Sequence, residues 1–174
     1  MVHSDWKTAV PADFSGASRV WIYQSGRRFT AEEVIDLNRR LRDFVDNWVS
    51  HNRPVKGWAG LLFDQFIVFM ADDTMDRLCG SAIDGSIRFI KVLEGQLELV
   101  LMDRLQMAFL QPDSDQLVLF MLDEVEAAMR SGRIQKDALF FNNAVTTKDQ
   151  MLDKWLVPLQ NSFLWTRFSK EYGA

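Results

Sequence analysis

Cysteine is nearly missing from this chain of 174 residues, occurring only at Cys79. One thiol cannot close an internal disulfide, so the fold must be held by its core, and such usage fits a reducing compartment. Histidine is almost as scarce, with His3 and His51 alone, which leaves few imidazoles for a metal centre or a Cys–His nucleophile pair. The 9 glycines and 4 prolines form no period and no low-complexity tract. No apolar run approaches the ~18 residues that a membrane span requires. Residues Met1 to Thr8 carry His3, Asp5 and Lys7 without an apolar centre, so no secretory signal is expected there. Positive charge is not in excess: 20 Lys and Arg against 24 Asp and Glu give a net charge of -4, which lacks the footprint of a nucleic-acid binder. The expectation is a cytoplasmic protein with no membrane span and no nucleic-acid partner.

What is abundant is apolar and aromatic. Hydrophobic residues make up 48% of the chain, including 6 Trp and 13 Phe, too many for a disordered chain. A globule of this length buries roughly 70% of the surface its unfolded chain exposes, so it needs no disulfide or metal to hold it. We expect one cooperative domain in three stretches: an irregular arm over 1–17 pinned by Trp6 and Phe14, a core over 18–121, and an appendage over 122–174.

Within the core, Arg19 to Gln24 reads as a strand of β-branched and aromatic residues closed by Ser25-Gly26. Arg27-Arg28 then reads as a solvated turn. Thr30 with Glu33 spells a capping box for a helix whose apolar face is Val34, Leu37, Leu41, Phe44, Val45 and Trp48. Val55 to Leu62 reads as a strand weakened by Lys56, Gly57 and Gly60, hence an edge. Phe66 to Ala71 is the densest apolar run and reads as a central strand, and Leu105 to Leu110 and Leu117 to Met121 read as strands around a turn at Pro112 to Asp115. The order strand, helix, strand, strand, helix, strand predicts an α+β protein with a ferredoxin-like βαββαβ core and an antiparallel sheet. A partly parallel α/β sheet is the alternative. The appendage is expected to be a small β/α unit, with a helix from Asp123 to Gly132, a strand at Ala138 to Phe141, and a helix capped by Thr147 that holds Leu152, Trp155 and Leu156 and stops at Pro158. Lys148 reads as a surface charge.

The stretch around which the chain is organised is Leu78 to Ile87, where an acidic loop enters a second amphipathic helix. Ile83, Ile87, Ile90, Leu93 and Leu97 recur at spacings of four and three, one buried face. Ser81 and Asp84 stand three apart ahead of that face and read as a second capping box. Cys79 precedes this helix start, where free N–H groups and the helix dipole lower a thiol's pKa, making Cys79, Ser81 and Asp84 the candidate catalytic residues, although a lone cysteine is more often inert packing, which is the favoured reading of Cys79. The same amides over Gly80 to Ile83, with Arg88 nearby, could instead hold a small anion. Asp72, Asp73 and Asp84 are the candidate ligands for a hard cation, at a spacing that fits no calcium loop. Gly80-x4-Gly85-Ser86 nearly spells a phosphate loop, but Ser86 stands where the lysine that reaches the phosphates is required. No cofactor is expected.

Val20 to Gln24, Cys79 to Ser86, Asp103-Arg104 with Ala108 to Leu110, and Phe141 to Asn143 with Thr147-Lys148 together resemble a family of short, uncharacterised bacterial cytoplasmic proteins often labelled "ABC transporter ATPase". The likeness runs from about Ser18 to Phe168, and it brings no established activity and no site residue. The chain departs from the label at Ser86 and in lacking a Leu-Ser-Gly-Gly-Gln signature. Leu122 to Val125, Gly132 to Ile134 and Asp137 to Phe140 are similar to the bacterial GYF-like domains, modules thought to bind peptides. The leading expectation is a non-catalytic binding or assembly module, joined to an unidentified protein partner or to itself through Phe163, Trp165 and Phe168. The rival is an enzyme or small-anion binder at the Cys79 to Asp84 helix start.

Overall fold

A computed structural model describes residues 5–112, 114 and 116–168 of the chain. His3, the first four residues of the expected arm, and Asp113 and Asp115 of the expected turn lie outside those residues. The chain divides into two compact units, Met1–Met102 with Thr146–Asp149 and Asp103–Val145 with Gln150–Ala174. Both are mixed α and β with antiparallel strand pairing, as the α+β reading requires.

The first unit contains β1 (Arg19–Gln24), α1 (Ala31–Asp46), a short hairpin of β2 (Val49–Ser50) and β3 (Arg53–Pro54), β4 (Gly57–Leu62), β5 (Phe66–Ala71) and α2 (Gly80–Leu97). Its main sheet has the order β1-β5-β4, with β5 between two antiparallel neighbours. The sequence explains the order. β5 is an unbroken apolar hexapeptide and every residue in it is buried, whereas β4 carries two glycines that only an edge tolerates well. Those glycines have a packing reason: a Cβ on Gly57 would meet the Trp48 ring at 2.6 Å, and one on Gly60 the Trp58 ring at 2.4 Å.

One face of the sheet is covered by the two helices. Ile67, Phe69 and Ala71 of β5 share a core with Leu37 and Leu41 of α1 and Ile90 and Leu93 of α2. At its centre the Phe69 ring meets four others edge-on, with centroids at 6.0 Å for Tyr23, 5.3 Å for Phe44, 6.2 Å for Trp48 and 5.9 Å for Phe89. Such edge-to-face contacts add to the burial energy of each ring.

The capping box of α1 forms as expected. Glu33 N–H donates to Thr30 Oγ1 at 3.2 Å, and Thr30 N–H donates to Glu33 Oε2 at 2.8 Å. Arg27 is not merely a solvated turn residue, because its guanidinium grips both Glu33 oxygens at 2.8 Å. That fork, together with the Thr30 contacts, holds the Glu33 carboxyl down at about 2 against the burial that would raise it. The helix ends at Asp46 rather than including Trp48. The chain instead turns at His51 and Asn52, both in the left-handed region, to make the β2–β3 hairpin. Trp48 remains buried, and its indole N–H donates to Ala82 O at 2.9 Å.

The arm is more ordered than its composition implies. Asp5–Ala9 forms a 3-10 turn, and Trp6, Val10 and Phe14 are buried. Two lysines fasten it. Lys148, read from sequence as a surface charge, is only 7% exposed; its ammonium donates to Pro11 O at 2.7 Å, Ala12 O at 3.2 Å and Phe14 O at 2.7 Å. Lys56 donates to Asp13 O at 2.8 Å and to Asp72 Oδ2 at 3.1 Å. A buried ammonium demands acceptors, and the arm supplies its own carbonyls.

The second unit holds β6 (Gln106–Leu110), β7 (Leu117–Met121), α3 (Val125–Arg130), β8 (Leu139–Phe141), most of α4 (Lys148–Lys154), β9 (Leu156–Pro158) and α5 (Phe163–Phe168). The sheet order is β7-β6-β8-β9. This corrects the ferredoxin-like expectation: the fourth strand of that plan, β6, does not join the first sheet but pairs with β7 and β8 in the second. The physical reason is locality. The β6–β7 hairpin closes a short loop at little entropic cost, and Phe109 on β6 fits a core built by Val125, Ala128, Ile134, Phe140, Leu159 and Leu164. Gly132, with φ +74°, follows α3 as expected. Leu156 and Pro158, expected in or after a helix, lie in β9.

Two outcomes test this packing. Phe69→Ala removes the ring that four others face and should cost ~3–5 kcal/mol in urea unfolding. Glu98, which ends α2 in the left-handed region at φ 52°, should gain from glycine: Glu98→Gly is expected to raise stability by ~1 kcal/mol.

Candidate functional site

The start of α2 is where the sequence placed its chemistry, and the structure redistributes the parts. The helix begins at Gly80 with Cys79 as its N-cap, and no side chain closes the cap. The Ser81–Asp84 capping box therefore does not form. Ser81 already lies inside the helix, two positions beyond the N-cap that the box would require it to occupy.

Ser81 instead turns to the thiol, with its Oγ 3.0 Å from Cys79 Sγ. A second hydroxyl arrives from β2, where Ser50 Oγ accepts the Cys79 N–H at 3.0 Å. The Cys79 thiol is lowered to about 6, first by the Ser50 hydroxyl, then by Ser81 and by the backbone N–H groups of His51 and Ala82. Each of these groups favours the thiolate, and the Ser81 hydroxyl stands at hydrogen-bond distance from the sulfur. The sulfur belongs to a half-buried residue.

Ser50 and His51 are invisible to sequence periodicity because the β2–β3 hairpin they belong to has two residues a side; its sequence signal is the polar pair His51-Asn52 between Val49-Ser50 and Arg53-Pro54, and both turn residues adopt the left-handed region. The hairpin is held against the start of α2 by the Trp48–Ala82 bond and by the Arg53–Asp76 ion pair at 3.1 Å.

Asp84 is exposed and stands outside this donor set. The candidate anion site is largely spent internally, since Ala82 N–H and Ile83 N–H both donate to Cys79 O, at 3.1 and 3.3 Å. The near-phosphate-loop at Gly80 to Gly85 is helical throughout, so it offers no loop to wrap a phosphate.

The candidate metal ligands are not brought together. Asp72 accepts from Thr74 Oγ1 at 2.7 Å, Lys56 Nζ at 3.1 Å and Ser15 N–H at 3.3 Å, and these partners, led by Thr74, hold its carboxyl down at about 2. Asp73 lies 3.6 Å from the Arg19 guanidinium. Among the described residues no group of three or more His, Cys, Asp and Glu is arranged to hold a metal ion, and no helix is long and apolar enough to cross a membrane.

The candidate partner residues lie on α5. Leu164 is fully buried in the second unit's core, with Trp165 and Phe168 partly buried against it. Phe163 is 51% exposed, its ring 5.7 Å from that of Phe140.

Comparison of the chain with protein-family models, with curated proteins and with solved structures found no match.

The thiol environment generates a pH prediction. Cys79 should label with a small alkylating reagent along a titration centred near 6, and Ser50→Ala should move that midpoint up toward the ordinary range. Because the folded value lies below the unfolded one, any stability the thiolate adds is present above pH ~9 and is lost as pH falls through about 6. A wild-type midpoint at the ordinary thiol value would refute the donor set.

Proposed function

We propose that the protein is a non-catalytic binding or assembly module whose contact surface includes α5. The observation that carries this reading is Phe163: a large ring more than half exposed, on a helix whose next residue, Leu164, is fully buried. A ring held out on a helix anchored from below loses little conformational freedom on docking, which is the character of an interface anchor. Trp165 and Phe168 supply further half-buried aromatic surface on the same short helix. The partner of such a surface is a protein offering an apolar pocket.

A second reading is favoured by the Ser81 hydroxyl beside the Cys79 sulfur and by the lowered pKa of that thiol. It makes the start of α2 a nucleophile or small-anion site. The readings separate on one contrast, since Cys79→Ser abolishes any function of the second and leaves the first intact.

The test of the first uses a photo-cross-linking residue at position 163 in the cells that make the protein, with Ile35, 73% exposed on α1, as control. A discrete adduct from 163 and none from 35 is the expected outcome. No adduct at 163, or the same smear from both positions, would reject α5 as the contact.

A further inference from the structure

The second unit's sheet has two outer edges, and they differ. β9 ends in Pro158, which has no N–H to offer. β7 is Leu117-Val118-Leu119-Phe120-Met121, with no charge or proline to blunt it.

The ladder fixes which groups of β7 are engaged. Leu122 N–H donates to Leu105 O at 2.8 Å, and Gln111 N–H to Gln116 O at 3.5 Å. Between these, Phe120 lies opposite Met107 and Val118 opposite Phe109. Alternate residues face the partner strand in an antiparallel pair. Val118 and Phe120 therefore spend their backbone groups on β6, and Leu117, Leu119 and Met121 turn theirs outward. Met121 is already closed, because its N–H donates to Glu124 Oε2 at 3.0 Å and its carbonyl accepts from Glu124 N–H at 2.8 Å. Among the described residues, Leu117 and Leu119 are left open on either side of Val118.

We propose that β7 pairs antiparallel with β7 of a second copy of the chain, about a twofold axis at Val118. In that register Leu117 of each copy faces Leu119 of the other. Each pair exchanges two hydrogen bonds, so all the open groups of both edges are used and none remains. A register centred on Leu119 instead needs Met121, which Glu124 occupies. The open groups are thus self-complementary in one register, which is why the occupant is a second copy: an isologous pair needs the same two positions on both sides. The axis also sets two Val118 side chains opposite each other at a non-hydrogen-bonded site, the closer kind of cross-strand contact. This concerns a different element from α5 and stands or falls separately from the reading above.

The test is sedimentation velocity of the full chain over a dilution series, with residue-resolved amide exchange at both ends of it. A dimer is expected at high concentration. Leu117 and Leu119 amides should be protected there and lose protection on dilution, while those of Val118 and Phe120, bonded to β6, stay protected throughout. Leu117→Pro, at the strand's first residue with its N–H outward, removes two of the four bonds and should weaken dimerisation about tenfold or more, its melting curve showing that the fold is kept. A monomer at every concentration overturns the proposal. So does a dimer whose Leu117 and Leu119 amides exchange freely, or an unchanged midpoint in folded Leu117→Pro. A dimer lost in Phe163→Ala but kept in Leu117→Pro assigns self-association to α5 and overturns the edge pairing.

Discussion

The burial of β5 is the constraint on which the first unit depends. Six consecutive apolar residues without a polar break cannot lie at an edge or face water on either side, so β1 and β4 must flank the strand and α1 and α2 must cover Phe69. The aromatic ring of neighbours around Phe69 then determines where Trp48 sits. Trp48 in turn carries a hydrogen bond to Ala82 in the first turn of α2. The path from core to site is short: a buried phenylalanine positions an indole, and the indole ties the β2–β3 hairpin to the helix that Cys79 begins.

The site's chemistry comes from that tie. A cysteine at a helix start has a mild preference for the thiolate from the dipole alone. What distinguishes Cys79 is that the hydroxyl of Ser81 lies against its sulfur while Ser50, from a separate hairpin, accepts its backbone N–H. Acidic residues in the neighbouring loop take no part. Asp72 is committed to the N-terminal arm, Asp73 to Arg19, and Asp76 to Arg53, so the acidic character of the 72–76 stretch is consumed in fastening chain to chain.

Much of the first unit was legible in the sequence because its signals are strong and local. The Thr30–Glu33 box, the Phe66–Ala71 run and the glycine-weakened β4 each state their role in a few residues. The failures are failures of range. The β2–β3 hairpin is two residues a side, shorter than any periodicity can report, and it hides inside what looks like a fraying helix end; Ser50 went unseen with it. Ser81 and Asp84 matched a capping spacing, but the helix starts two residues earlier than that spacing implies. Strand β6 has the right composition for either sheet, and only the competition between a nearby hairpin partner and a distant one assigned it. Lys148 looked like surface because nothing local marks a lysine whose acceptors lie far back in the chain.

The Lys148 ammonium has a consequence in time as well as space. The carbonyls it holds belong to Pro11, Ala12 and Phe14, more than 130 residues earlier. During synthesis the segment bearing Trp6, Val10 and Phe14 emerges well before its fastening, which is made only when the chain has grown past residue 148. Until then those apolar side chains lack the contact that later secures them. The lysine thereby secures the first unit only after much of the second has been synthesised.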